Sequence, residues 1–411
     1  MNDKQLYAQI LGISSPWKVT DVSLALADGK VEVFVSGGAG ALVCPECGAS
    51  CPGYDRRERR WRHLDTCQYQ TVLVGDIPRV ECPEHGVKQV AVPWAAPGSR
   101  FTLLFEALVI DWLREATFSG VAERMGLTWD QVDGIMSRAV ARGLARRELV
   151  LPCQIGVDET SYQKRHQYVT VVSDLERNGA VLYVEDGHDK NALRRFYEQF
   201  SREQLGALEA VAMDMGKAYI AATHDCVPDA DEKIAFDRFH VAKLLGDAVD
   251  AIRREENTAL KEKGDKRLVG SRYLWLQSPF LIEDERWARF EELRESSLKT
   301  ARAYAIKDTA QALWDPGSEA VVRTRWRKWY AWAIRSRLDP IKMAARSIKK
   351  HLGGILNAIR MGVTNARAEG INSVIQKLKS RARGYRNRER FKNAIYFHCG
   401  GLDLHPRAGE A

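Results

Sequence analysis

The feature that most constrains the fold is a short metal-ligand motif that occurs twice near the N-terminus. Its copies are Cys44-Pro-Glu-Cys47-Gly and Cys82-Pro-Glu-His85-Gly, so each pairs two ligand residues and ends in glycine. This spacing lets two side chains from one tight turn reach the same ion, and the glycine permits the backbone reversal. Thiolates and imidazole in a tetrahedral site favour Zn²⁺. The sequence therefore predicts a zinc ribbon whose four protein ligands leave no position open for catalysis.

The other cysteines do not suggest a disulfide framework. The chain has 411 residues and eight cysteines, whereas disulfide-stapled domains are usually short and secreted. Cys51 is a possible substitute ligand, and Cys67 is interpreted as a core or spectator cysteine. The alternative to a ribbon is two independent turns with buried thiols. No apolar run approaches the roughly 20 residues of a membrane span, and no signal peptide is recognisable, so we expect an intracellular protein without a membrane partner.

Charge is distributed unevenly along the chain. The whole sequence has 62 Lys+Arg and 54 Asp+Glu, a net charge of +8. From Val321 to Ala411 there are 21 basic and 5 acidic residues, a balance of +16, and the rest of the chain has a balance of −8. Such asymmetry indicates a polyanionic partner, in the first place nucleic acid. A solvated basic face is the alternative.

A helix-turn-helix pattern follows the cysteine-rich region. Helical periodicity over Phe101–Glu115 precedes a short helix, a turn at Gly126 and a second helix over about Trp129–Arg142. Thr128 before that helix and Gln131 at its third position form a capping box. This arrangement presents a recognition helix in DNA-binding proteins, although helix pairs are also common elsewhere.

Beyond Pro152 the pattern changes to strands that alternate with helices. Antiparallel-type strands come first, and helix–strand units follow. This order predicts an α/β fold with an RNase H-like mixed sheet flanked by helices. The predicted strands are Gln154–Val157, Tyr168–Ser173, Ala180–Val184, Ala207–Ala212 and Lys233–Phe236, with helices over Asn191–Gln204 and Lys217–Cys226.

Two aspartates follow apolar strands in this predicted sheet. Asp158 and Asp214 each stand at the predicted carboxyl end of a strand, where the ligand crevice of an open α/β sheet lies. Together they can bring hard oxygens to one place, as Mg²⁺ binding requires. We select Asp158 over the adjacent Glu159, although the strand exit leaves that choice open. A single aspartate after a strand is more often a helix cap or turn former.

One acid stands alone in the basic C-terminal region. Glu369 is the only acidic residue between Pro340 and Arg388, and it belongs to a helix with an apolar stripe. It is either a salt-bridge partner or a metal ligand in a phosphate-binding cleft. Asn372 and Gln376 lie near the same helix face and could reach phosphate or the waters of a metal.

The region between the predicted strands and Glu369 is almost wholly helical. Residues 241–362 form a charged, tryptophan-rich stretch that includes Trp326, Trp329 and Trp332. Triplet spacing keeps these indoles near one helix face, which favours core packing. Stacking on splayed bases is the alternative, because arginines flank the tryptophans.

Taken together, these motifs resemble the insertion-sequence transposases of the ISL3 family over nearly the full chain. The segment around Glu369, with Lys377 and the later Gly384-Tyr385-Arg386 and Arg390-Phe391, is its most specific part. His85 departs from the pattern, because such ribbons often have cysteine there. The other matching motifs are Gly156-Val-Asp158-Glu-Thr, Met213-Asp214-Met-Gly-Lys-Ala-Tyr219, Asp237-Arg-Phe-His240-Val and Asn365-Ala-Arg-Ala-Glu369-Gly-Ile-Asn372.

The resemblance implies a DDE transposase in which Asp158, Asp214 and Glu369 hold two Mg²⁺ ions, with Mn²⁺ as a possible substitute. Two ions about 3.5–4 Å apart support in-line displacement at phosphorus, by water and then by a 3′-OH. Asp237 and His240 match an accessory motif that positions DNA or the catalytic acids; His240 could instead make only a local hydrogen bond at a helix start. The implied accessory residues are Asp237, His240 and Asn372.

The resemblance also implies DNA partners. The ribbon and the helix-turn-helix would read terminal inverted repeats, while C-terminal arginines would bind phosphates of these ends and of target DNA. Cutting both ends together implies a homodimer or larger assembly on DNA, in the bacterial cytoplasm at the nucleoid. The implied DNA-binding residues are Thr128, Gln131, Arg138, Lys377, Arg381, Arg383, Arg386, Arg388 and Arg390.

The expected domains follow the motifs along the chain. Two alternatives to a transposase are a DNA-binding regulator with an inactive nuclease core and a structure-specific nuclease on the same fold. The predicted boundaries are 1–97 for the β/zinc-ribbon module, 98–150 for the helix-turn-helix, 151–242 for the first part of the core, 243–362 for a helical insertion, and 363–411 for the C-terminal core helices with their basic tail.

Overall fold

The structure is a computed structural model that describes residues 2–37, 42–163, 167–176, 179–277, 279–315, 317–363 and 366–407. Its chain divides into two compact units. The first comprises Met1–Glu148 together with Glu389–Ala411, and the second comprises Leu149–Arg388. The predicted segment 363–411 is therefore shared between the two units.

The first unit opens with a sheet whose strand order is β1-β2-β4-β3, with β5 beside β4. β1 and β2 form an antiparallel hairpin, and β3 and the long β4 together connect the first ligand motif to the second. Trp17, Trp61 and Trp94 pack edge to face in its core. The elements are α1 (Asp3–Ile10), β1 (Lys18–Ala25), β2 (Lys30–Ser36), β3 (Gly53–Arg62), β4 (Gln70–Cys82) and β5 (Gly86–Gln89).

The predicted helix-turn-helix is confirmed. It consists of α2 (Leu103–Glu115), α3 (Phe118–Met125) and α4 (Trp129–Arg146). Gly126 ends α3 in the left-handed conformation at φ 64°, which glycine adopts without steric cost. The predicted capping box at the start of α4 is present.

The second unit contains a mixed sheet in the order β10-β9-β6-β7-β8. β6 pairs with β7 and β7 with β8 in antiparallel fashion, whereas β6, β9 and β10 run parallel. This order confirms the predicted RNase H-like sheet. Its elements are β6 (Gln154–Gln163), β7 (Gln167–Asp174), β8 (Val181–Asp186), α5 (Lys190–Tyr197), α6 (Arg202–Gly206), β9 (Ala210–Met213), α7 (Lys217–Cys226), α8 (Ala230–Lys233) and β10 (Ile234–Phe236).

The first strand of this sheet is longer than predicted. Asp158 lies in the interior of β6 rather than after its end, because pairing with β7 continues to Gln163. On its other side β6 pairs with β9 only from Gln154 to Gly156. The apolar run therefore marks the part of β6 that has neighbours on both sides, and the polar part has only one.

A helical insertion follows β10, as predicted. Trp326 and Trp329 are buried in its core, and the Trp329 indole donates to the Ile306 carbonyl, whereas Trp332 is 46% exposed. Core packing thus accounts for the first two tryptophans. The helices are α9 (Arg238–Glu262), α10 (Arg272–Leu276), α11 (Asp284–Glu295), α12 (Lys299–Gln311), α13 (Glu319–Arg335), α14 (Asp339–Lys350) and α15 (Leu352–Met361).

The C-terminal helices belong to different units. α16 (Ala366–Arg381) packs on β6 of the second unit, and α17 (Arg388–Cys399) carries the chain back into the first. There Phe397, Leu402 and Leu404 join the apolar core of the helix-turn-helix. Within the described ranges, every helix is too short or too polar to cross a lipid bilayer.

Candidate functional site

The four predicted zinc ligands come together in the first unit. One ligand atom each from Cys44, Cys47, Cys82 and His85 lies within 4.8 Å of the other three. β4 ends at Cys82 and β5 begins at Gly86, so the second motif occupies the turn between paired strands. The first motif lies near that turn because Gly53, at the start of β3, pairs with Val80 of β4. Among the described residues, this is the one group of three or more metal-binding side chains close enough to hold an ion.

The distances within this group suit a tetrahedral zinc ion. Zn–S bonds of about 2.3 Å and Zn–N bonds of about 2.0–2.1 Å give tetrahedral edges of about 3.8 Å between sulfurs and about 3.6 Å between sulfur and nitrogen. The Cys47 and Cys82 sulfurs are 3.8 Å apart. The His85 Nδ1 atom is 3.6 Å from the Cys82 sulfur and 3.8 Å from that of Cys44. The donor set therefore fits Zn²⁺ through His85 Nδ1.

A carboxylate beside the quartet completes the arrangement. Glu46, from within the first motif, places a carboxylate oxygen 3.5 Å from His85 Nε2 and also pairs with Lys88. Such a partner fixes the orientation of a ligating imidazole. The His85 ring also lowers the pKa of the Cys82 thiol to about 6, which favours the thiolate that binds metal. Cys51 lies outside the quartet and its pKa is raised by burial, and Cys67 is exposed.

In the second unit, three aspartates occupy matching positions on adjacent parallel strands. Gly156 on β6 is opposite Ala212 on β9, so Asp158 and Asp214 each lie two residues further along. Met213 is opposite Phe236 on β10, so Asp214 and Asp237 each follow directly. Because neighbouring strands are about 4.8 Å apart, this register lines up the three side chains along one edge of the sheet.

The turn after β9 holds the Asp214 carboxylate in place. The Gly216 amide donates to Asp214 Oδ1 at 2.9 Å. A Cβ atom at position 216 would lie 2.6 Å from that same oxygen, so only glycine lets the carboxylate approach this amide. Gly216 is also the N-cap of α7, where the positive end of the helix dipole favours an anionic side chain.

Helix α16 lies along β6 in matched steps. Ala368 contacts Gly156, the Asn372 amide donates to Asp158 Oδ2 at 2.5 Å, and the Gln376 amide donates to Thr160 Oγ1 at 2.7 Å. Four helical residues rise about 6.0 Å and two strand residues about 6.6–6.8 Å, so every fourth helix position meets every second strand position.

One turn further along α16, Lys379 donates to the Ser161 carbonyl at 2.7 Å. We name this set of contacts the α16–β6 seam. Its members are Gly156, Asp158, Thr160 and Ser161 on the strand and Ala368, Asn372, Gln376 and Lys379 on the helix.

The seam brings Glu369 to the aspartates without closing a ligand cage. Asp158 and Asp237 both act electrostatically on the Glu369 carboxylate. Among the described residues, these acids do not form a further group of three or more side chains close enough to hold one ion. Glu369 Oε1 and Asn372 Oδ1 are buried and have no hydrogen-bond partner among those residues. Buried acceptors without donors are what a bound cation would satisfy.

Burial and crowding change the acidity of this site. Burial raises the pKa of the Asp158 carboxyl, and the nearby Asp214 raises it further. Burial and then Asp237 raise the pKa of Glu369. Burial and then Asp214 also raise the pKa of Glu159, the neighbour of Asp158 on the strand. The site thus collects negative charge that favours a proton or a metal cation.

Two of the three predicted accessory residues, Asp237 and His240, lie at the start of α9. Asp237 is its N-cap and accepts from the Phe239 amide at 2.6 Å. His240, one turn into the helix, acts electrostatically on the Asp158, Glu159 and Glu369 carboxylates. Both residues therefore belong to the acidic cluster. Asn365, the first residue of the C-terminal motif, lies outside the described residues.

Several predicted DNA-binding side chains are engaged within the helix-turn-helix. Thr128 Oγ1 accepts from the Gln131 amide, and the Gln131 side chain accepts from the Thr128 amide. Arg138 pairs with the fully buried Glu106, with Nε 3.0 Å from the carboxylate. These side chains stabilise the fold of the unit, and their contacts with DNA stay a prediction.

The basic C-terminal residues lie in two places. In the second unit, the Tyr162 hydroxyl and the Gln163 side chain donate to the Arg386 and Tyr385 carbonyls, which holds the segment after α16 against the far end of β6. Arg388 pairs there with Asp186. Lys377, Arg381, Arg383 and Arg386 are exposed. In the first unit, Arg390 contacts the start of α4.

Comparison with known protein families identifies three family models that match this chain. A family model described as a transposase, that of the ISL3 family, matches residues 155–395, more than half of the chain. The chain belongs to the ISL3 family of transposases. A helix-turn-helix domain of this family matches residues 90–140, and a zinc-finger model of the transposases of IS204, IS1001, IS1096 and IS1165 matches residues 41–85. Family membership supports DNA transposition by an enzyme that cleaves and transfers DNA, and the helix-turn-helix implies DNA binding.

Two curated relatives align over most of their length. The transposase for insertion sequence element IS1557 of Mycobacterium tuberculosis is 28% identical over 423 residues, covering 94% of this chain and 93% of the relative. The transposase for insertion sequence element IS1001 of Bordetella parapertussis is 27% identical over 367 residues, covering 88% and 89%.

Sequence reasoning missed some members of these sites. Glu46 was visible only as the middle of a ligand motif, and its position beside His85 depends on the fold. Asn372 is a predicted accessory residue, but the sequence did not indicate that its amide binds Asp158. One sequence signal could have revealed the seam. Ala368, Asn372 and Gln376 are four residues apart on the helix, and small and polar residues occupy alternate positions of β6.

Proposed function

We propose that Asp158, Asp214 and Glu369 hold two Mg²⁺ ions and that this site cleaves and joins DNA at the ends of an insertion sequence. The observation that carries the proposal is the α16–β6 seam, which brings Glu369 from the distant C-terminal helix to the sheet edge where the register aligns Asp158 and Asp214. Hard carboxylate oxygens suit Mg²⁺, and Mn²⁺ is the expected substitute.

When bound, the ions would supply charge neutralisation for in-line displacement at phosphorus. The residues of the chain supply the rest. Gly216 orients Asp214, Asn372 orients Asp158, and Glu369 keeps a buried oxygen, Oε1, that has no hydrogen-bond partner among the described residues. Asp237 and His240 set the charge around the acids, because each acts on the Glu369 carboxylate.

The proposed substrate is double-stranded DNA that carries terminal inverted repeats, followed by target DNA. The ribbon, held by Zn²⁺ at Cys44, Cys47, Cys82 and His85, has a structural role and reads the ends together with the helix-turn-helix. The exposed residues Lys377, Arg381, Arg383 and Arg386 contact phosphates without reading sequence. Because two ends are cut together, we propose that the chain acts as a homodimer or larger assembly on DNA.

The test is cleavage of a duplex that spans one end of the DNA flanking the gene, by the purified full chain with Mg²⁺. We expect a nick at the end of the repeat that liberates a 3′-OH. Asp214→Asn should abolish this cleavage and leave binding of the same duplex unchanged. Cleavage by Asp214→Asn at the rate of the natural protein would overturn the assignment of the metal site. Binding without cleavage by the natural protein would favour the inactive regulator.

A further inference from the structure

The first turn of the predicted recognition helix α4 is covered by an arginine from the C-terminus. The Arg390 guanidinium lies 4.4 Å from the centre of the Trp129 ring. Its Nη2 atom is 3.1 Å from Asp130, and its Nε atom is 3.0 Å from Asp133. One side chain of α17 thus stacks on an aromatic ring and pairs with two acids at the start of α4.

The C-terminal segment around Arg390 is anchored firmly on the helix-turn-helix. Arg142 donates to the Leu404 carbonyl at 2.9 Å, and Arg146 donates to the His405 carbonyl at 2.7 Å. Asn393, one turn after Arg390, donates to Ser137 at 3.2 Å. These bonds join α4 to α17 and to the segment after it, so the fold of the unit fixes the position of Arg390.

The acids beside Arg390 present an electrostatic problem for a DNA-reading helix. The N-terminal residues of a recognition helix approach base edges and the phosphates beside them. The Asp130 side chain is 83% exposed and that of Asp133 is 15% exposed, so both negative charges stand near this surface. Without a nearby cation they would repel the phosphate backbone.

We propose that Arg390 is a positioning residue of the DNA-reading surface: it neutralises Asp130 and Asp133 and fixes Trp129, so that the first turn of α4 can approach double-stranded DNA. This role differs from direct phosphate contact, in which the guanidinium would face DNA instead of two aspartates. The inference rests on the proposed function, because it assumes that α4 reads the ends.

A double-mutant cycle on the full chain separates the two roles. The variants are Arg390→Met, the pair Asp130→Asn with Asp133→Asn, and the combination of all three changes. Binding is measured with a labelled duplex that carries a flanking terminal repeat and with an unrelated duplex of equal length, and thermal unfolding is followed for each variant. Methionine keeps much of the contact with Trp129 and removes the charge.

We expect Arg390→Met alone to weaken binding of the repeat duplex about tenfold. When both aspartates are already asparagine, the same substitution should weaken binding less than about twofold. Arg390→Lys should restore part of the loss, because lysine supplies the charge without the planar fork. An equal loss in both backgrounds would overturn the proposal in favour of direct phosphate contact. Unchanged binding by Arg390→Met would overturn it as well, because Arg390 would then have no role in DNA binding.

Arg124 provides a matched control in the same unit. Its guanidinium lies 4.3 Å from the centre of the Trp112 ring. Arg124→Met should have the same effect on binding whether or not Asp130 and Asp133 are replaced. If the natural protein does not prefer the repeat duplex over the unrelated one, the proposed function fails. If it does and the cycle shows no coupling, only the role of Arg390 fails.

Discussion

The zinc-ligand group and the proposed Mg²⁺ site are built in different ways. In the ribbon, the ligands come from two tight turns connected by β3 and β4, and their donor atoms already have the spacing of the corners of a zinc tetrahedron. In the second unit, the acids come from β6, from the turn after β9 and from α16. Their register is aligned, but within the described residues they do not form a group of side chains close enough to hold one ion.

This difference matches the demands of the two roles. A structural ion must be enclosed by protein ligands, so its geometry belongs to the fold itself. A site that binds DNA phosphate with its cations needs open ligand positions and carries excess negative charge until they arrive. Two observations indicate that excess charge: the pKa values of Asp158 and Glu369 are raised, and Glu369 Oε1 has no hydrogen-bond partner in the part of the chain that the structure describes.

The largest expected effect concerns the ribbon. Cys82→Ala removes a buried ligand, so zinc content should fall by about one ion per chain and affinity for the repeat duplex by about tenfold to a hundredfold. Zinc analysis and binding measurements check this. Cys67→Ala, an exposed cysteine of the same region, should leave both unchanged. Full zinc content in Cys82→Ala would contradict the assignment of this ligand.

The next prediction concerns the α16–β6 seam. Asn372→Ala removes the hydrogen bond to Asp158, so the rate of Mg²⁺-dependent cleavage should fall about tenfold while binding of the duplex stays unchanged. Asn372→Gln should recover little, because the longer side chain displaces the amide. Ser373→Ala, at an exposed position of the same helix, is the control. If both variants cut at the same rate, the seam does not position the acids.

The smallest expected effect is on pH dependence. Since the pKa values of Asp158 and Glu369 are raised, these groups take up protons at a higher pH than ordinary carboxylates. Cleavage should therefore fall as the pH is lowered, beginning above the usual carboxyl range, and more Mg²⁺ should move the midpoint to lower pH. A midpoint insensitive to Mg²⁺ would contradict cation binding by these acids.

Without divalent cations, the contribution of this site to the free energy of unfolding should change with pH in the direction opposite to the cleavage rate. A carboxyl group whose pKa is raised in the fold holds more protons in the folded than in the unfolded state. Its contribution to the free energy of unfolding therefore falls as the pH rises from the ordinary carboxyl pKa through the raised one. Glu369→Gln removes this contribution, and thermal unfolding compared at two pH values in chelator, with and without the substitution, measures it.

Local patterns predicted the fold well. The ligand motifs, the capping box at Thr128 and the alternation of strands and helices each depend on neighbouring residues, and each is present in the structure. The extent of β6 was not predictable in this way, because its polar half is held by pairing with β7 and by α16. An apolar run marks burial on both sides of a strand, and it says little about where pairing ends.

Long-range contacts limited what could be predicted about the sites. Glu369 could be selected from the sequence because it is a lone acid among basic residues. Its approach to Asp158 could not, because it depends on how α16 packs on β6 after the long helical insertion. The return of α17 to the first unit was equally hidden, so Arg390 was interpreted as a phosphate contact. No local spacing relates this arginine to Asp130 and Asp133, since the pairing exists only in the folded unit.

The most direct test of this account is Mn²⁺ binding to the full chain, with the ribbon loaded with zinc, in the presence of the repeat duplex. We predict Mn²⁺ binding by the natural protein that weakens at least about tenfold in Asp158→Asn, Asp214→Asn and Glu369→Gln, with zinc content unchanged. Mn²⁺ binding of equal strength in a variant that lacks all three acids would contradict the account.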